Sequence, residues 1–166
     1  LTGYKYQKIH SIFDKKVFNG VKIICIREKK IMGTGGALYT LKRKLHDGFF
    51  LMNGDTFFSG DLNLDCDVST SFVAEEDVTH DVGYIQGQDG KVKCFVEKNP
   101  DASGKELVSL GIYKLFKKDI DIPNKLPVSM EYDILPKMEL CYKILKTRRF
   151  DIGTPERLQT FKDWVC

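Results

Sequence analysis

Apolar positions along this chain alternate between helical and strand rhythms. Ile9, Ile12 and Phe13 stand at helical spacing between Tyr4 and Lys16, which predicts an amphipathic helix ended by Asn19-Gly20. The run VKIICI, Val21 to Ile26, is largely apolar and β-branched and predicts a short buried strand. A polar loop leads to GTGGAL, Gly33 to Leu38, and Leu38, Leu41 and Leu45 mark a second helix from Ala37. GFFLMN, ending at Asn53, predicts the next buried strand. Strand, glycine-containing loop, helix and strand make a βαβ unit, which crosses over right-handed into a parallel sheet.

The second half is richer in strands. VSTSFVAEE predicts one, and VGYIQGQDGKVKCFVEK predicts a hairpin turning at Asp89-Gly90. VSLGIYKLF and CYKIL predict two more strands. Ser129 to Met138 reads as a helix capped by Ser129 and interrupted by Pro136. Thr154 caps a closing helix with Pro155 at its first position and Glu156 in its first turn. Without repeats or a linker, the expectation is one Rossmann-like α/β domain over residues 1–166, with a mostly parallel mixed sheet flanked by helices.

Charge changes this picture little. With 26 basic and 23 acidic residues the net charge is +3, which argues for neither nucleic acid nor an anionic membrane as a partner. No apolar run approaches the roughly 18 residues of a membrane span. Five cysteines, an odd number with no CxxC spacing, suit a reducing cytoplasm better than a disulfide frame or a zinc site.

Four short stretches carry candidate chemistry. FFLMNGDTFFSG brings an apolar strand to an end on Asp55. A carboxylate at the carboxyl edge of an α/β sheet lies where ligands bind, and a hard oxygen there suits Mg²⁺, although Asn-Gly-Asp is also good turn chemistry. GTGGAL lets backbone approach a flat or phosphorylated ligand, but is neither a Walker loop nor GxGxxG. DIGTPE offers Asp151 as a partner for Asp55 or as a loop former. FVEKNP offers Glu97 as an acceptor and Lys98 as a cation, or simply an exposed pair at a strand end. DLNLDCD starts like an EF-hand, but Cys66 and Phe72 stand where Gly and Glu are needed. Asp65-Cys66-Asp67 matches the DxD metal motif of glycosyltransferases and stays open as a rival. His10, His46 and His80 form no catalytic or metal spacing.

In their order, GTGGAL, LMNGDTFF, FVEKNP and FDIGTPERL, with LVSLGIYKL and VSMEYDILPKM between the last two, resemble the sugar-phosphate nucleotidyltransferases over essentially the whole chain. The likeness is strongest to the heptose- and mannose-1-phosphate guanylyltransferases. It implies the nucleotide-diphospho-sugar transferase fold. It also implies transfer of a nucleotidyl group from an NTP, GTP being favoured, to a sugar 1-phosphate, with release of pyrophosphate. It implies Mg²⁺ held by Asp55 and Asp151. Gly33, Thr34, Gly36 and Asn53 would serve the nucleotide, and Glu97, Lys98, Ser109 and Gly111 the sugar phosphate. A homo-oligomer is compatible with it.

Two departures stand out. Ser109 replaces the family's usual Asn, which puts the sugar's identity in question. The GGxGTR…PKP loop is absent and the chain begins with Leu1, so a fragment with little transferase activity alone is expected. The alternatives are a non-catalytic sugar-nucleotide-binding paralogue and the DxD glycosyltransferase.

Overall fold

The computed structural model describes residues 1–78, 82–97 and 99–165. In chain order these form α1 (Tyr6–Phe13), β1 (Val17–Phe18), β2 (Val21–Lys22), α2 (Gly36–Leu41), β3 (Gly48–Met52), β4 (Thr56–Ser59) and β5 (Thr70–Asp77). There follow β6 (Tyr84–Gln88), β7 (Lys91–Val96), β8 (Lys105–Phe116), β9 (Cys141–Ile144), β10 (Arg148–Asp151) and α3 (Pro155–Val165). They gather into two compact units, Leu1–Arg43 with Ile122–Ile134, and Lys44–Asp121 with Leu135–Cys166.

The second unit holds a six-stranded sheet in the order β3-β8-β5-β9-β7-β6. Its hub is β8, twelve residues rich in Val, Leu, Ile and Tyr. One edge of β8 carries β5, and the other is shared: β3 pairs from Ile112 to Phe116, and β6 at Leu107 and Val108. Phe72, Ala74, Leu110, Ile112 and Leu145 form the core of this unit, with Phe58, Leu62, Leu64 and Cys66 packed against it. The predicted strands 68–76 and 108–116, the Asp89-Gly90 hairpin and CYKIL all form.

The sheet is mixed, but the share of parallel pairing is smaller than expected. Among the described ladders between named strands only β5 with β9 runs parallel. The predicted βαβ unit does not form a ladder between 21–26 and 48–52. Val21–Lys22 pairs only with Val17–Phe18, across a two-residue turn in which Asn19 (φ 47°) and Gly20 (φ 82°) are both left-handed. Asn-Gly is the strongest short hairpin signal, so here it turns a hairpin instead of ending a helix, and α1 stops earlier at Phe13. Val21 and Ile24 stay exposed, as do Ile12 and Phe13 on the predicted apolar face of α1.

Ser129 to Lys137 is not an α-helix. It is a π turn at Met130–Ile134 followed by a 3₁₀ turn at Leu135–Lys137. Side chains compete for the backbone there: Asp133 Oδ2 accepts from Ser129 N–H at 2.9 Å, and Ser129 Oγ accepts from the N–H groups of Glu131 and Tyr132. Pro136 supplies no N–H to continue an i→i−4 ladder.

Candidate active site

Where β6 and β3 part along β8, the strand bulges. Its register with β5 jumps from Phe72↔Ile112 to Val73↔Ser109, which leaves Leu110 and Gly111 unmatched. Gly111 adopts φ +65°, a conformation glycine tolerates without the usual penalty. A Cβ there would stand 2.7 Å from Asn53 Cγ, so the missing side chain is the space Asn53 fills. Asn53 N–H donates to Gly111 O at 3.0 Å, and Ser109 N–H donates to Gly83 O at 3.0 Å. Gly83 in turn carries Glu97: a Cβ on residue 83 would meet Glu97 Cδ at 2.9 Å. Ser109 Oγ accepts from Gly111 N–H at 3.3 Å and lies 3.1 Å from the hydroxyl of buried Tyr113. Asn53, Gly111, Ser109 and Glu97 thus form one linked row. Gly83 and Tyr113 join it, and sequence reasoning missed both; a glycine just ahead of a strand was the available signal. Lys98 lies outside the described residues.

Two residues beyond Asn53, Asp55 leads into β4, which pairs with β10 in the register Asp151↔Thr56. This ribbon was not foreseen, and it joins the two predicted acids. Ile152 N–H donates to Asp55 O at 2.8 Å. A Cβ on Gly153 would stand 3.1 Å from Asp151 Oδ1 and 3.1 Å from Asp55 Oδ2, so both carboxylates converge on a point that glycine keeps clear. Helix α3 follows. Thr154 caps it, its hydroxyl accepting from Arg157 N–H at 3.3 Å. A hydrogen bond from its own backbone N–H, and second one from Thr154, hold the Glu156 carboxyl below the usual carboxylate range. Phe57 and Phe150 from the ribbon pack on Phe161 and Trp164 of α3, with Phe57–Phe161 centroids 4.7 Å apart and Phe150–Trp164 centroids 4.5 Å apart. Such contacts fix the ribbon that carries both acids.

These carboxylates fit a hard cation. Mg²⁺ takes oxygen ligands, commonly one or two protein carboxylates, the rest coming from water and substrate phosphates. No group of three Asp, Glu, His or Cys side chains placed to hold a metal occurs among the described residues. The DxD run lies in a loop outside any strand, where Lys143 Nζ donates to Asn63 Oδ1 at 2.9 Å and to Asp65 O at 3.0 Å.

In the first unit the Gly33–Gly36 loop packs on its own neighbours. Gly33 has φ +80° and its absent Cβ leaves room for the Val128 carbonyl, whose oxygen accepts from Gly35 N–H at 2.8 Å. Gly36 is buried against Met32, while Gly33 and Thr34 are exposed. Thr34 Oγ1 donates to Glu131 Oε2 at 2.7 Å and accepts from Met130 N–H at 2.8 Å. Thr34→Val should therefore orphan a buried N–H and cost about 1–3 kcal/mol. Thr34→Ser should restore it. Denaturant melts of both variants measure this, and equal stability of the valine form and the parent would refute the latch.

No family profile matches the chain. In structure it is similar to HddC from Yersinia pseudotuberculosis complexed with GMP-PN, with TM-score 0.79 and 28% identity, covering 99% of this chain and 76% of that one. It is also similar to a putative glucose-1-phosphate thymidylyltransferase from Bacillus anthracis, with TM-score 0.74 and 19% identity over 95% of this chain and 71% of that one, a likeness of fold alone. The fold is that of the nucleotide-diphospho-sugar transferases. In sequence the chain is 33% identical over 167 residues to the D-glycero-alpha-D-manno-heptose 1-phosphate guanylyltransferase of Campylobacter jejuni, covering 93% of this chain and 72% of that protein. The chain belongs to the sugar-phosphate nucleotidyltransferases.

Proposed function

We propose that this protein transfers a guanylyl group from GTP to a heptose or mannose 1-phosphate, giving a GDP-sugar and pyrophosphate. The observation that carries the reading is the convergence of Asp55 and Asp151 on Gly153, beside the row from Asn53 to Glu97. The names of the relatives support the choice of base and sugar. Asp55 and Asp151 would hold Mg²⁺, which when bound would supply neutralisation of phosphate charge. Glu97 accepts from a sugar hydroxyl, Lys98 meets the sugar phosphate, and Ser109 and Gly111 shape the floor. Gly33, Thr34, Gly36 and Asn53 serve the nucleotide. The phosphate oxygen of the sugar attacks the α-phosphorus in line, and catalysis rests on positioning and charge neutralisation.

No helix among the described residues is long and apolar enough to cross a membrane. The described cysteines at 25, 66, 94 and 141 are free thiols, which supports a reducing, cytoplasmic setting.

The test is a panel of NTPs and sugar 1-phosphates offered to the intact protein with Mg²⁺, read as pyrophosphate release. GTP with a heptose or mannose 1-phosphate should give the highest rate. Binding of a sugar nucleotide without pyrophosphate release from any pair would favour a non-catalytic binding module instead.

A further inference from the structure

The Asp151 carboxylate is not bare. Its Oδ1 accepts from Gly153 N–H at 2.8 Å, and its Oδ2 is ion-paired with Arg157 Nη1 from the first turn of α3. Arg157 also lines a cavity of about 320 Å³ with Glu76, Val82, Arg149, Phe150, Asp151 and Thr160. Two arginines therefore border this cavity. Arg149 Nε donates to Glu76 Oε2 at 3.1 Å, with side chains 19% and 31% exposed. The Arg157–Asp151 pair is wetter, at 44% and 38%, and an exposed ion pair is readily exchanged.

Two carboxylates that converge on one point repel each other unless a cation stands near. Arg157 supplies that cation from within the chain. A divalent ion bound by both acids removes the repulsion itself, and the guanidinium then adds to an excess of positive charge. We infer that Arg157 is an internal counter-ion of Asp151 that a divalent cation displaces, after which its guanidinium turns to a phosphate oxygen in the cavity it already lines. Arg157 is thus a positioning residue in the metal-free protein and a phosphate ligand in the loaded one. Guanidinium suits both roles, because its planar fork matches carboxylate and phosphate alike. The inference rests on the reading of Asp55 and Asp151 as a metal pair.

It makes an unusual demand. Removing a residue that merely shapes the site weakens metal binding, whereas removing a competitor strengthens it. Arg157→Gln should tighten Mn²⁺ binding to the protein, titrated with Mn²⁺ alone and read from the free-ion electron paramagnetic resonance signal, by about fivefold, the scale of one exposed ion pair. The same variant should lose turnover with NTP and sugar 1-phosphate. Arg157→Lys keeps the charge and should bind Mn²⁺ much like the parent. In an Asp151→Asn background Arg157→Gln should change Mn²⁺ affinity little, since the competition is for that carboxylate. Unchanged or weaker Mn²⁺ binding by Arg157→Gln, with Asp55→Asn and Asp151→Asn each weakening it, overturns the exchange and leaves the metal pair standing. Unchanged Mn²⁺ binding in both aspartate variants overturns the metal pair, and the exchange with it.

Discussion

Asp55→Asn and Asp151→Asn should each lower turnover by about a hundredfold or more, the scale at which removing one group that stabilises transition-state charge costs roughly 10²–10³. Each change is near-isosteric, removing the charge and turning one acceptor oxygen into a donor. Asp55 is exposed and Asp151 partly so, so the fold should be nearly untouched. The two acids act on one ion, and residues that act as a unit are not additive. The double variant should therefore be little slower than either single one. Steady-state rates at saturating substrate, with melting curves beside them, measure both statements. A double variant whose losses multiply would mean that the carboxylates act separately, and the shared ion would be refuted.

Gly111→Ala should damage stability and sugar phosphate use together. Its φ of +65° strains any residue with a Cβ, by about 1–2 kcal/mol. The added carbon would also come within 2.7 Å of Asn53 Cγ and force that side chain to move. For a chain of this size each kcal/mol lowers Tm by about 2–4 °C, so a fall of several degrees is expected. Because the change deforms the bulge beside Ser109, the KM for sugar 1-phosphate should rise, and displacement of Asn53 should raise that for NTP as well. A variant with the parent's Tm and both KM values unchanged would show that the bulge has no such role.

How much of this was legible in the sequence depended on whether a signal was local. The Asp89-Gly90 hairpin, the Thr154-Pro155-Glu156 helix start and the long apolar run of β8 are written in a few adjacent residues, and they form as expected. Strand partners are not local. Nothing within Thr56–Ser59 or Arg148–Asp151 announces that these two pair, yet that antiparallel ribbon is what brings Asp55 to Asp151. The same gap produced the βαβ error, where an apolar run at 21–26 read as buried although the described structure gives it only a two-residue hairpin partner. The site's acids were visible as strand-end carboxylates. Gly83, Tyr113 and Arg157 were not, because their importance lies in what they touch. The glycines of GTGGAL were noticed for the right property, close approach, but the closest neighbours they admit are Val128 and Met32.

The aromatic contact between the ribbon and α3 has an optical consequence. Trp164 is the chain's only tryptophan, and its ring lies 4.5 Å from that of Phe150, the residue directly before Asp151. Arg148 stacks over both rings, at 5.0 and 5.7 Å from their centroids. Trp164 is 42% exposed, so its emission is sensitive to small changes in its contact with water. The protein thus carries one tryptophan, coupled through Phe150 and Phe161 to the strand end that bears a candidate ligand. Excitation of that one indole reports on the acid-bearing ribbon without a label, and without a second tryptophan to blur the signal.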